Sequence, residues 1–79
     1  MFTIKHIGIH GDHSIFSAAA AVRGDPTDDG SHGRLEFYDQ DHGLVHHPIV
    51  YGKVFVMNDS GRTVADYDLG GWEFAKKAA

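Results

Sequence analysis

The sequence predicts a mainly β protein, a single small antiparallel meander sheet of five or six short strands in one domain spanning residues 1–79. Three observations carry this expectation. Short runs rich in β-branched and aromatic residues recur along the chain, each bounded by glycine, asparagine, aspartate or proline. One stretch, Lys53 to Leu69 (KVFVMNDSGRTVADYDL), reads as a complete hairpin. No composition shift or internal repeat divides the chain, and 79 residues suffice for only one core.

The hairpin organises the rest. Val54 to Met57 form an apolar run, and Asn58-Asp59-Ser60-Gly61 supplies four turn formers. Thr63, Ala65, Tyr67 and Leu69 then alternate with Val64, Asp66 and Asp68, so one face is mainly apolar. A type I turn with Gly61 in the left-handed region fits this loop, because glycine adopts that geometry without steric cost.

From the N-terminus, Phe2 to Ile9 has strand composition, with an alternation break between Ile4 and Ile7 that points to two partly covered faces or a bulge at Gly8. His10-Gly11-Asp12-His13 is a turn. Ser14 to Arg23 supports two readings. Its alanines, a capping Ser14 and a terminating Gly24 suit a short helix, which would make the fold α+β with one helix at about 14–23. Phe16, Ala18, Ala20 and Val22 equally make a period-two face for a strand paired with the first, and an isolated short helix is marginal. Residues 24–33, GDPTDDGSHG, form a mobile acidic loop by composition. Arg34 to Asp39 alternates, with Leu35 and Phe37 on one face, and Gln40 to Gly43 turns. Leu44 and Val45 begin a return that His46-His47-Pro48 interrupts, since proline cannot donate to a central ladder. Gly70-Gly71 detaches a C-terminal tail, 72–79, whose Trp72 and Phe74 are expected to fold back onto the sheet.

Composition limits function. The absence of cysteine removes disulfides and thiolate-zinc sites and suits a reducing compartment. No apolar run approaches the roughly 20 residues of a membrane helix, and the N-terminus lacks a secretory pattern, so a soluble intracellular protein is expected. The net charge is −4, and lysines and arginines do not cluster, which argues against direct nucleic-acid binding. An acidic surface suits a basic protein partner. Seven histidines make the acidic character conditional on pH.

Each candidate constellation has a plainer counterpart. His10, Asp12 and His13, brought together with His42, His46 and His47, would make a reasonable zinc donor set, but neither spacing is a metal signature, and exposed turn histidines are the commoner outcome. No metal or cofactor is therefore expected. No serine lies in an elbow, oxyanion-loop or triad context, and no glycine-rich phosphate motif is present, so catalytic residues are not expected. The aspartates are more suggestive as a group. Asp25, Asp28 and Asp29 crowd one loop, Asp39 and Asp41 bracket a turn, and Asp66 and Asp68 share a strand face. Spaced carboxylates on turns and one sheet face can imitate phosphates and occupy a basic channel; the plainer reading is a solvated acidic surface. Tyr38 and Tyr67 are candidate aromatic anchors beside them.

The segment VFVMNDSGRTVADYDLGG, with the opening FTIKHI and the later IFSA, resembles small β-rich proteins of bacteriophages and integrated mobile elements. In those a first hairpin is followed by a strand like LEFYD and a closing hairpin with a VMN-turn-G-[KR]-TVA pattern. The likeness covers about two thirds of the chain and departs in the alanine run and the aspartate loop. Small acidic proteins of this kind include anti-CRISPR inhibitors, and the chain resembles an inhibitor of a type I system, type I-C in particular. Anti-CRISPRs share no common motif, so no functional residue carries over. The resemblance implies a non-enzymatic protein, monomeric or dimeric, in the host bacterial cytoplasm. It would bind the surveillance complex (Cascade) through its acidic surface, a DNA mimic that keeps target DNA away. It also favours the strand reading of Ile15 to Val22. The alternatives are a structural or accessory phage protein forming homo-oligomers, or a histidine-based metal-binding module.

Overall fold

A computed structural model describes residues 1–24 and 33–72. The protein is mainly β and antiparallel, with six strands among the described residues: β1 (Phe2–Ile7), β2 (His13–Ala18), β3 (Ala20–Gly24), β4 (Arg34–Tyr38), β5 (Lys53–Met57) and β6 (Thr63–Asp68). They divide into a four-stranded sheet of order β2-β1-β5-β6 and a two-stranded ladder, β3-β4, where the sequence suggested one continuous meander. The division has a local cause. The alanine run is extended throughout, not helical, but it bends at Ala19, so that β2 pairs with β1 and β3 pairs with β4. Bends of this kind let a strand leave one sheet and enter another.

The bend also changes which residues face inward. Phe16 and Ala18 lie on the core side of β2, as period-two alternation predicts. Beyond Ala19 the inward residue is Ala21, while Ala20 and Val22 are exposed. A strictly continuous strand would have buried Ala20 and Val22. Tertiary pairing decides the conformation here: Phe16 lies opposite Ile4 and Ala21 opposite Phe37, contacts that a helix could not make.

The core lies between the four-stranded sheet and the β3-β4 ladder. Ile4, Ala18, Val54, Val56 and Leu69 meet Leu35, Phe37 and Ile49, all essentially removed from solvent. The Phe16 and Phe37 rings meet edge to face, with centroids 4.9 Å apart. The Arg23 guanidinium stands 5.7 Å from the Tyr67 ring centroid, so the ladder starts beside β2 and ends over β6.

Three turns share one hydrogen-bonding pattern. In 8–12, 39–43 and 58–62 the first amide donates to the fifth carbonyl, and the fourth amide donates to the first carbonyl. Each has its fourth residue in the left-handed region: Gly11 at φ 86°, His42 at φ 66° and Gly61 at φ 81°. The Asn58 Oδ1 accepts from the amides of Ser60 and Arg62, each at 3.0 Å, and fixes the hairpin turn expected from the sequence. Immediately before it, a bulge between Val56 and Met57 leaves Val64 as the extra residue of β6. Gly8 opens a turn rather than forming the suggested bulge. A side chain there would collide with the Asp12 carboxylate.

Residues 44–51 form an irregular strap rather than a strand. It touches β4 through single bridges, Tyr38 with Leu44 and Leu35 with Ile49, and Pro48 lies between them. The suggested loop at 24–33 falls, except for Gly24 and Gly33, outside the described residues, as does the tail beyond Trp72.

Candidate interaction surface

β6 is a terminal strand of the four-stranded sheet, and its alternation sorts the candidate residues. Asp66 lies opposite Phe55 and Asp68 opposite Lys53, both on the face turned away from the core. Tyr67 lies opposite Val54 and is half-buried against the core, with Arg23 over its ring. Lys53, Phe55, Asp66, Tyr67 and Asp68 together line one shallow depression of about 180 Å³. Three sequence-predicted residues therefore converge there, and Lys53 and Phe55 complete the site. Those two are visible only once the β5–β6 register is known.

The aspartates are not equivalent. The Asp68 Oδ1 accepts from the Gly70 amide at 3.0 Å and from the Trp72 indole Nε1–H at 2.8 Å. Its carboxylate thus ties the chain after β6 to the outward sheet face. Asp66 is exposed and lines the same depression. Alternate charges on an edge strand also hinder unwanted edge-to-edge pairing, a role that requires no partner.

Asp39 and Asp41 lie on the turn after β4, outside this depression. The Asp39 Oδ1 accepts from the amides of Asp41 and Gly43, both at 2.9 Å, as Asn58 does in the 58–62 turn. Asp39 is thereby a turn-forming residue, whereas Asp41 points its exposed carboxylate outward. The Tyr38 hydroxyl donates to Glu36 Oε2 at 2.7 Å, and Arg34 Nε donates to Glu36 Oε1 at 3.2 Å. The Tyr38 bond, with help from Arg34, holds the Glu36 carboxyl below its usual range. Reciprocally, the Glu36 bond and burial raise the Tyr38 hydroxyl above its usual range. Asp25, Asp28 and Asp29 lie outside the described residues.

The histidine-bearing turns do approach each other. Asp12, His46 and His47 border a second depression of about 210 Å³, together with His6, Ser14, Pro48, Ile49 and Tyr51. His46 stacks on Phe16, with centroids 4.2 Å apart and planes 7° from parallel. Among the described residues no three carboxylate or imidazole side chains converge as metal ligands. His6, only 8 % exposed, was missed as a site residue. The Ile4-x-His6-x-Gly8 alternation carried the signal, because it places His6 on the buried face.

The chain matches no protein-family model, no curated protein and no solved structure.

Proposed function

We propose that the protein is a non-enzymatic inhibitor that acts by protein–protein contact, its acidic surface engaging a basic, DNA-holding surface of a type I CRISPR surveillance complex in the host bacterial cytoplasm. The observation that supports this reading is the grouping of Asp66 and Asp68 with Phe55 and Tyr67 around one open depression on a terminal strand. Carboxylates beside aromatic surface combine steering charge with an anchor, and these set encounter rate and residence time respectively. The likeness of FTIKHI, IFSA and VFVMNDSGRTVADYDLGG to phage inhibitors supplies the partner class.

The test is capture of purified type I-C Cascade by the tagged protein at low and high salt, with target-DNA binding read in parallel. Salt-sensitive capture that blocks DNA is expected, and the double variant Asp41→Lys, Asp66→Lys should weaken it. Unchanged capture by that variant, and by one with Asp25, Asp28 and Asp29 reversed, refutes the acidic mechanism. No capture at either salt refutes the Cascade assignment.

A homo-oligomeric accessory role is the second reading. It draws on the outward face of the four-stranded sheet, where Ile15 is 68 % and Val64 51 % exposed. Light scattering separates the two, since a higher closed oligomer favours the structural role.

A further inference from the structure

The depression beneath the strap has chemistry distinct from the acidic strand edge. Its floor is formed by His6 and Ser14, which lie opposite each other in the β1–β2 pair. Its walls are Asp12 from the first turn and the strap residues His46, His47, Pro48, Ile49 and Tyr51. His6 Nε2 lies 3.0 Å from the Tyr51 carbonyl oxygen. A carbonyl can only accept, so Nε2 carries the proton, and in the neutral ring Nδ1 presents a lone pair. Among the described residues Nδ1 has no partner, yet no side-chain nitrogen or oxygen is both sealed from solvent and unsatisfied. The ring is nine-tenths buried, and His6 borders the depression.

The same logic fixes His46. Its Nδ1 lies 2.7 Å from the His47 carbonyl oxygen and donates to it, leaving Nε2 as an acceptor. Asp12 adds a carboxylate held against Gly8, where even a methyl group would collide with its oxygens. Two histidines with an acceptor nitrogen each, a carboxylate residue and the hydroxyl-bearing Ser14 therefore line one depression.

We propose that this depression binds a cation bearing N–H donors, an alkylammonium or guanidinium group. A metal ion would need three ligands at coordination distance, and no such trio exists among the described residues. A guanidinium or ammonium spans more widely spaced acceptors through several N–H bonds. Its alkyl part would lie against Pro48 and Ile49. The site stands independently of the inhibitor reading, and either can fail without the other.

The test is titration of the isotope-labelled protein with methylguanidinium, with Nα-acetylarginine amide and with acetate, reading the histidine ring nitrogens by NMR. Saturable shifts of His6 and His46 with a cation, and none with acetate, are expected. Asp12→Asn should weaken the cation by about tenfold, the effect of losing one charged hydrogen bond, while Asp59→Asn in the distant hairpin turn should not. Methylguanidinium binding with exclusion of the bulkier arginine amide assigns a free small ligand; tighter binding of the arginine amide assigns a protein side chain. A response linear in every cation, preference for acetate, or equal affinity in Asp12→Asn overturns the proposal.

Discussion

His42 occupies a position that its two counterpart turns give to glycine, and the exchange His42→Gly should stabilise the protein. At φ 66° its Cβ crowds the following carbonyl, whereas Gly11 and Gly61 hold the same place at φ 86° and φ 81° without a Cβ. A left-handed non-glycine residue costs about 1–2 kcal/mol, with histidine among the more tolerant types. Glycine returns part of that gain, about 0.5–1 kcal/mol, through the greater freedom of the unfolded chain. The net expectation is stabilisation of about 0.5–1 kcal/mol, or roughly 3–6 °C in Tm for a domain of this size. The turn's other supports, the Asp39 Oδ1 bonds to the amides of Asp41 and Gly43, are untouched. His42→Ala is the control, since it removes the imidazole but keeps the Cβ. Urea denaturation of wild type, His42→Ala and His42→Gly decides the matter. If His42→Gly is no more stable than His42→Ala, left-handed strain at this position is not a significant cost.

The paired exchanges Gly61→Ala and Gly52→Ala should separate backbone strain from collision. Both positions have positive φ, but a Cβ on Gly61 meets open space, whereas one on Gly52 would run into the Ile7 carbonyl oxygen. Gly61→Ala is expected to cost about 1–2 kcal/mol and Gly52→Ala clearly more, in the same denaturation assay; equal costs would show that β1 yields freely. The Glu36–Tyr38 bond should appear in tyrosine titration. The folded Tyr38 value is raised above 10.0, so its stabilising effect is present below that pH and is lost as pH rises through the folded value. Glu36 is lowered from 4.5, so its effect is present above that pH and is lost as pH falls through the folded value. Glu36→Gln should move the Tyr38 phenolate midpoint down towards 10, read as the absorbance difference from a Tyr38→Phe background. A midpoint unmoved by the exchange would mean the carboxylate does not govern it.

Local pattern made the strands legible, and long-range pairing made the sheet order illegible. The closing hairpin was readable because Asn58 and Gly61 encode its turn chemically, through a side-chain acceptor and a left-handed backbone. Leu35 and Phe37 were readable as inward residues because β4 alternates without interruption. The neighbour relation of β1 and β5 was not readable, because residues about fifty positions apart meet and no local signal encodes that pairing. The bend at Ala19 was equally hidden: an alanine run is compatible with helix, straight strand or corner, and only the partners on either side choose among them. At the candidate surface, alternation put Asp66 and Asp68 on one face, but it could not bring Lys53 and Phe55 beside them.

The hydrogen bonds divide the aspartates into those that hold the fold and those available to a partner, and this changes how a loss of binding should be interpreted. Asp39 fixes the turn after β4, and Asp68 ties Gly70 and Trp72 to the sheet face. Reversing either charge removes acceptors from backbone or indole N–H groups, so weakened capture would mix altered geometry with altered charge. The Asp41 and Asp66 carboxylates are exposed and accept none of these bonds, so their reversal changes mainly the electrostatic field. Asp39→Asn and Asp68→Asn complete the comparison, because the amide oxygen still accepts while the charge disappears. If acidic steering governs encounter, Asp66→Lys should slow association more than Asp68→Asn and leave dissociation nearly unchanged. A larger effect on dissociation would instead make the β6 depression a close-packed anchor, with Phe55 and Tyr67 rather than the carboxylates as its main contacts.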